Sequence, residues 1–369
     1  MRSAIATAGN PSPGMPARDC VIHRACARAQ IDPAAGAVVM GTGIVSIALT
    51  FDGLQTLSRV LLGLAALEWA ALGVVLIERA VRERDRLRRE ARTPAALTGV
   101  AATAVLGTRV AALGWAWVGV AFLGTALALW CVLLAPVLTH WATPTVGVSL
   151  MLAVSTESLA VLAATIAERE RAPWLLDAAL VPFVLGLGFY AYVMAGFDLH
   201  ELMSGRGDQW VTGGALAIST LAAGRIALAA NALGALDGVH AALRLVSVVL
   251  WAITVAWLPV LLGTELRRPR LGYDVRRWST VFPIGMYAAC SYVVGTAAAA
   301  PAVTEFGRVW TWAGVAVWVL VAAATLHRMR SIDSRRMRET CICETPTTSP
   351  ISLCVMSWSK RSRRIKRDR

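Results

Sequence analysis

The amino-acid sequence predicts an all-α integral membrane protein with ten transmembrane helices and both termini in the cytoplasm. Of its 369 residues, 57% are hydrophobic and only 16% are charged, whereas soluble domains average about 45–50% apolar and about 25% charged residues. The apolar residues are grouped into long blocks, and the arginines are concentrated in a few of the segments outside those blocks. The composition excludes an ordinary soluble protein.

Ten apolar blocks of at least 18 residues follow one another along the chain. Each is long enough for one span, because about 20 helical residues cross the hydrocarbon core of a bilayer. In chain order, the ten blocks cover residues 34–51, 57–78, 95–114, 116–140, 144–166, 174–197, 209–234, 239–263, 278–300 and 306–326.

The position of the basic residues predicts the orientation of these helices. Segments 79–94 and 264–277 carry net charges of +4 and +3, and the tail 327–369 carries +8. All three lie on one side of the membrane if the N-terminus lies there too. Because Lys and Arg are retained on the cytoplasmic face, both termini are predicted to be cytoplasmic.

The chain is accordingly predicted to have three parts. Residues 1–33 form a cytoplasmic N-terminal segment, residues 34–326 form the ten-helix transmembrane domain, and residues 327–369 form a basic, disordered cytoplasmic tail. The tail is expected to touch anionic lipid. No folded nucleic-acid-reading module accompanies its charge, so no nucleic-acid partner is expected.

Odd-numbered and even-numbered blocks differ in polar content. The odd blocks contain 19 Ser and Thr residues and the even blocks contain seven, whereas nine tryptophans lie in even blocks and two in odd blocks. Hydroxyl groups in a membrane helix need a partner helix or water, and lipid accepts bulky apolar faces. The pattern predicts five helical hairpins, with an inner ring of five odd-numbered helices around a pore. The alternative is that small and hydroxyl residues only allow close helix packing.

Two charged residues lie deep in odd blocks, Glu157 in the fifth and Arg225 in the seventh. A charge at the bilayer centre costs at least about 2.5–3.5 kcal/mol on insertion scales. The two side chains either form a buried ion pair that locks two helices, or Arg225 attracts an anion while Glu157 protonates or sets selectivity. Glu68, in an even block, is assigned to an interhelical contact.

Backbone breakers mark two odd blocks. Pro283 in the ninth block lacks an N–H group, and its ring clashes with the preceding turn, so we expect a kink there. In the first block, Gly41 and Gly43 flank Thr42 and let the backbone approach a neighbour or a solute closely.

With these features the chain resembles the tellurite-resistance/dicarboxylate transporter family, also called the voltage-dependent anion channel superfamily. That family includes bacterial tellurite-resistance proteins, yeast malate and sulfite transporters and plant slow anion channels. The resemblance covers about residues 34–326, with one motif on each odd block. The motifs are VMGTGI at 39–44, TAVLG at 103–107, STESLAVL at 155–162, GGALAIS at 213–219 and WSTVFPIGMY at 278–287.

The resemblance implies a multi-pass protein of the cell membrane with five inner helices around a pore, assembled as a homotrimer with one pore per subunit. It also implies a phenylalanine that occludes the pore from the ninth helix, which maps to Phe282. Glu157 stands where many relatives are expected to have glutamine or another polar residue, so its charge is expected to alter anion preference.

We therefore expect transport of small anions through a hydroxyl-lined pore gated by Phe282, without a metal or other cofactor. The substrate classes implied by the family are C4-dicarboxylates, sulfite, chloride or nitrate, and tellurite-type oxyanions. Besides this gate, the residues predicted to line the pore or bind the anion are Thr42, Gly43, Glu157, Ser219, Arg225 and Pro283.

Three other functions are compatible with a polytopic membrane protein. One is a proton-coupled dicarboxylate carrier that uses Glu157, and another is a non-conducting membrane sensor or assembly protein. The third is an intramembrane enzyme, which needs clustered His, Asp or Cys at membrane depth. The five histidines lie at or near the predicted surface, so an enzyme is not expected.

Overall fold

The computed structural model describes residues 35–203, 209–236, 238–267, 269 and 277–343, and the predicted N-terminal segment 1–33 lies outside them. Within these ranges the chain is helical with short connections and has no β-strand. Its α-helices are α1 (Gly36–Phe51), α2 (Gln55–Arg82), α3 (Arg84–Glu90), α4 (Thr98–Ala112), α5 (Ala116–Thr139), α6 (Met151–Glu170), α7 (Pro173–Ala195), α8 (His200–Met203), α9 (Gln209–Leu233), α10 (His240–Arg267), α11 (Trp278–Ala297) and α12 (Pro301–Cys343).

Nine helices among the described residues are long and apolar enough to cross a membrane. Two of these spans, those of α4 and α6, include a preceding 3-10 turn, at Pro94–Leu97 and Gly147–Leu150. The remaining predicted block is the first, 34–51, and it corresponds to α1, which is apolar but has only 16 residues. That α1 spans the bilayer stays a prediction.

Buried and exposed helices alternate along the chain. In the most apolar 18 residues of α4, α6, α9 and α11, 72–100% of the residues are buried, against 11–28% in α2, α5, α7 and α10. Helix α1 is also buried over most of its length. Large apolar side chains of the exposed helices are mostly uncovered by protein: Leu67 is 70% exposed and Val132 is 69% exposed. In a membrane these faces would contact lipid.

The five buried helices form a closed ring of contacts. Helix α1 packs on α4, α4 on α6, α6 on α9, α9 on α11, and α11 on α1. Helices α2, α5, α7 and α10 each pack on the buried helix that precedes them in the chain. Helix α12 packs on α11, where the rings of Trp310 and Tyr287 lie 5.4 Å apart. We call α1, α4, α6, α9 and α11 the inner ring. This division agrees with the odd and even blocks, although the exact hairpin arrangement of ten spans stays a prediction.

Tryptophans of the exposed helices donate their indole N–H groups to hydroxyls of the inner ring. Every inner helix provides one acceptor, and the nitrogen–oxygen distances run from 2.8 to 3.1 Å. The pairs are Trp318 with Thr42, Trp69 with Thr103, Trp130 with Thr156, Trp257 with Thr212, and Trp251 with Ser291. These bonds explain why tryptophan and hydroxyl residues have opposite distributions: the two types are partners across the interface of the two layers.

Replacing Trp130 by phenylalanine is expected to lower the free energy of unfolding by about 0.6 kcal/mol from the lost interhelical hydrogen bond alone. The bond to Thr156 is 2.9 Å long, and Thr156 is fully buried. Equilibrium unfolding in mixed micelles measures the effect. Trp117→Phe is the matched control, because the Trp117 side chain is 79% exposed. Equal losses in the two variants would show that the indole bond contributes nothing.

The chain divides into two compact units, Met1–Trp318 and Val319–Arg369. In the described part of the second unit, α12 continues as a helix to Cys343. It therefore overlaps the tail 327–369 for which the sequence predicts disorder. Residues 327–343 contain no Gly or Pro and are rich in Arg and Met, which are good helix formers. Residues 344–369 lie outside the described part of the chain.

Candidate functional site

The candidate site is a cavity of about 170 Å³ that all five inner helices line. Its lining residues come from the middle and C-terminal parts of α1, α4, α6 and α9, and from Met286 in the middle of α11. At one end it reaches exposed residues such as Phe51 and Arg169. The cavity therefore enters the ring from the side at which these four helices end.

The cavity wall is largely apolar, and its hydroxyl groups are engaged by their own helices. Each hydroxyl donates its proton to the carbonyl group four residues earlier, at oxygen–oxygen distances of 2.6–3.1 Å. A hydroxyl bonded in this way presents lone pairs rather than a proton to the cavity. The wall is thus less suited to hydrogen-bond an anion than the sequence suggests. The hydroxyl residues in question are Thr50, Thr108, Ser158 and Thr165.

Charged side chains surround the mouth of the cavity. Its lining includes three arginines and one glutamate, which gives these residues a net charge of +2. Arg225 donates from Nη2 to the Oε2 atom of Glu168 over 2.6 Å, so these two charges offset each other. Arg169 is exposed and donates to the carbonyl oxygen of Ala112 over 3.0 Å. The excess positive charge favours anions at this end of the ring.

The third arginine, Arg109, was not singled out by sequence reasoning. It lies in the last turn of α4 and is 2% exposed. Its Nε and Nη2 atoms donate to the Ser58 hydroxyl oxygen over 3.1 and 3.0 Å. Because Arg109 lies near the end of a block, the sequence alone allows its charge to be assigned to contact with the lipid headgroups. The signal that could have identified it is an arginine near the end of a hydroxyl-rich block, on the face of the membrane predicted to have few basic residues.

Phe282 is oriented by the contacts of its neighbours on α11. Val281 packs against α1, Pro283 packs against Gly214 of α9, and Ile284 lies next to α12. Successive residues of a helix point about 100° apart. Because the neighbours of Phe282 point toward α1, α9 and α12, the Phe282 side chain points into the interior of the inner ring. It is buried, with 3% exposure.

Phe282 also lies close to the inner end of the cavity. It precedes the lining residue Met286 by four positions, so the two side chains share a face of α11, one turn apart. The aromatic ring is therefore at the depth where the described cavity stops. Its function as a gate stays a prediction.

Glu157 and Arg225 have different partners in the structure. Both carboxylate oxygens of Glu157 lie within hydrogen-bond distance of the Ser219 hydroxyl, at 2.7 and 2.9 Å. Any side chain at Gly186 of α7 would overlap Glu157, so this carboxylate points toward α7 and α9. The ion pair that the sequence allowed between Glu157 and Arg225 is not formed. Arg225 follows Ser219 by six residues, about 9 Å along the helix axis, and bonds to Glu168 instead.

The remaining predicted pore residues contact neighbouring helices. Thr42 is buried and accepts the indole N–H of Trp318, and Glu68 of α2 interacts with the same hydroxyl. Gly43 brings α1 close to α4, since a side chain there would lie 2.8 Å from Val105. Of the seven predicted site residues, only Arg225 lines the described cavity. A place on the path for the other six stays a prediction.

Comparison with known proteins agrees with this architecture. The sequence model of the family described as voltage-dependent anion channel matches residues 30–326, a range that contains the inner ring and the cavity. An uncharacterized membrane protein of Mycobacterium tuberculosis, in strains CDC 1551 / Oshkosh and ATCC 25618 / H37Rv, is 35% identical over 136 residues. The matched region is 35% of this chain and 68% of that relative. The resemblance predicted from the five motifs is confirmed, and the chain is a multi-pass membrane protein that belongs to the voltage-dependent anion channel family.

Proposed function

We propose that this protein carries small anions across the membrane through the middle of its inner ring. The observation that carries the proposal is the cavity, which all five inner helices line and whose charged residues sum to +2. Membership in an anion channel family supports it. Transport through such a path leaves the anion chemically unchanged, so the proposal assigns no catalytic residue.

The proposed topology has ten spans with both termini in the cytoplasm. Segments 79–94 and 264–277, at the ends of α2 and α10, carry net charges of +4 and +3 and would lie on the cytoplasmic face. The inner helices α1, α4, α6 and α9 would then end on the opposite face. The cavity therefore opens away from the cytoplasm. Because the five helices that line the cavity belong to one chain, the homotrimer implied by the family would contain one path per subunit.

Phe282 is the proposed gate. An aromatic side chain in an apolar constriction excludes water and so raises the barrier for a hydrated anion. Within the cavity the hydroxyls of Thr108, Ser158 and Thr165 donate to their own helices, so they do not replace the hydration shell of an ion. Opening thus requires the ring of Phe282 to move.

A passive path explains the placement of Glu157 better than a proton-coupled carrier does. A carboxyl group that couples protons to substrate must exchange its proton along the path. Glu157 is fully buried between α6, α7 and α9 and does not line the cavity. We therefore assign it to helix packing through Ser219.

Flux measurements on the reconstituted protein test this function. Purified protein in liposomes is expected to pass chloride, nitrate or a larger anion down its gradient, with valinomycin and potassium to balance charge. The same flux measurement with sulfite, malate and tellurite, each at two pH values, ranks the substrates. Flux equal to that of protein-free liposomes for every anion would favour a sensor or assembly protein. Proton movement coupled to dicarboxylate uptake would favour the carrier.

A further inference from the structure

Arg109 is a buried arginine without an acidic partner among the described residues. Isolated buried charges are costly, and buried arginines are normally paired with a carboxylate. Arg225 follows this rule through Glu168. Arg109, which lines the same cavity and is 2% exposed, bonds only to the hydroxyl of Ser58 in the part of the chain that the structure describes. Its charge therefore lacks a counter-ion.

The guanidinium group of Arg109 is bound on one edge. A guanidinium has five N–H donors, and two of them, on Nε and Nη2, donate to Ser58. The remaining donors are on Nη1 and on the other side of Nη2. Together they form a planar fork, which is the geometry that binds two oxygens of one oxyanion.

Ser58 holds this fork in a fixed orientation. Its hydroxyl donates to the carbonyl oxygen of Ser46 over 2.7 Å, and its oxygen lies 2.8 Å from the Thr50 hydroxyl oxygen. All of these hydroxyls belong to α1 and α2, which pack next to α4. The arginine is thus preorganised by neutral groups that leave its charge uncompensated.

We propose that Arg109 and the cavity form a binding site for a small, planar, singly charged oxyanion of the nitrate or short-carboxylate class. Two oxygens of the anion accept the two parallel N–H groups of the free edge. The cavity of about 170 Å³ has room for such an anion and a few waters, since one water occupies about 30 Å³ of liquid. A halide offers one centre and cannot use the fork in this way, so the site prefers the oxyanion. As a step in anion passage this site rests on the proposed function, but binding itself does not require transport.

Binding to the detergent-purified protein tests the site. Titration calorimetry with sodium nitrate at constant ionic strength is expected to show one site per chain that binds nitrate more tightly than chloride. Arg109→Lys keeps the charge but loses the fork, and we expect about tenfold weaker binding. Arg109→Gln is expected to abolish measurable binding. Arg88→Gln removes an exposed arginine in α3 and is expected to bind nitrate like the wild type.

Nitrate binding by Arg109→Gln with wild-type affinity would overturn the site. Equal affinity of the wild type for chloride and nitrate would overturn the oxyanion preference. If the variants do not fold, the wild-type protein is still decisive: crystals soaked in sodium nitrate are expected to show a planar difference-density peak within hydrogen-bond distance of the Arg109 guanidinium. A peak only elsewhere, or none at a concentration that saturates binding in solution, would contradict the proposal.

The two proposals can fail separately. Protein that binds nitrate at Arg109 but passes no anion in liposomes contradicts the transport function and supports the site. Protein that passes anions while Arg109→Gln binds nitrate normally supports transport and removes the site.

Discussion

Replacing Phe282 by alanine is expected to increase anion flux about tenfold, which corresponds to a barrier lower by about 1.4 kcal/mol. The side chain occupies the interior of the ring one turn beyond Met286, at the inner end of the cavity. Truncation replaces an apolar obstruction with space for water. A hydrated anion then crosses this level without losing its shell.

Liposome flux and single-channel recording of the same preparation measure the change. Phe183→Ala is the matched control, because Phe183 is 4% exposed, Phe282 is 3% exposed, and Phe183 lies on the outer helix α7. Both variants lose a buried ring and are expected to lose stability, but only Phe282→Ala is expected to gain flux. Unchanged flux in folded Phe282→Ala would remove Phe282 from the gate. No flux in either the wild type or this variant would contradict the transport function as a whole.

The division into inner and outer helices could be predicted from sequence because it depends on local composition. A tryptophan and a threonine carry their preferences for lipid or for a partner helix wherever they stand along a helix. The role of the hydroxyl groups, however, differs from the pore-lining role that the sequence predicts. Thr42, predicted to face the pore, accepts the indole N–H of Trp318 on α12. Composition indicates which helices are partners, but it does not specify which face of the helix each hydroxyl occupies.

The charged partners could not be predicted, because they depend on the axial register of neighbouring helices. Glu157 and Arg225 lie on helices predicted to cross in the same direction, which made a pair plausible. The structure places Ser219 opposite Glu157, and Arg225 lies six residues further along, opposite Glu168. A shift of less than two turns along one helix decides between the two pairings. Sequence alone does not fix such a shift.

Arg109 was missed for a related reason. Near the end of a span, an arginine ordinarily extends its side chain toward the headgroups. In the structure the end of α4 faces the cavity, and Ser58 of α2 holds the guanidinium there. Recognising this requires knowledge of how the five inner helices surround one space.

Arg225 and Glu168 provide the second large expected effect, a reciprocal change in flux. Arg225→Gln lowers the net charge of the cavity lining from +2 to +1, whereas Glu168→Gln raises it to +3. At low ionic strength we expect about fivefold lower anion flux in the first variant and a comparable increase in the second. Both effects are expected to shrink at 0.5 M salt, where the screening length is about 4 Å, but by less than for fully exposed charges, because both side chains are partly buried.

The double variant Arg225→Gln/Glu168→Gln separates electrostatics from the other roles of this pair. Its lining charge returns to +2, so its flux is expected to match that of the wild type. If Arg225 bound the anion directly, removing Glu168 as well would not restore flux. If the 2.6 Å ion pair served only to hold α6 against α9, all three variants would lose stability and none would gain flux. A gain of flux in Glu168→Gln therefore excludes a purely structural ion pair, and wild-type flux in the double variant then separates a field effect from direct anion binding by Arg225.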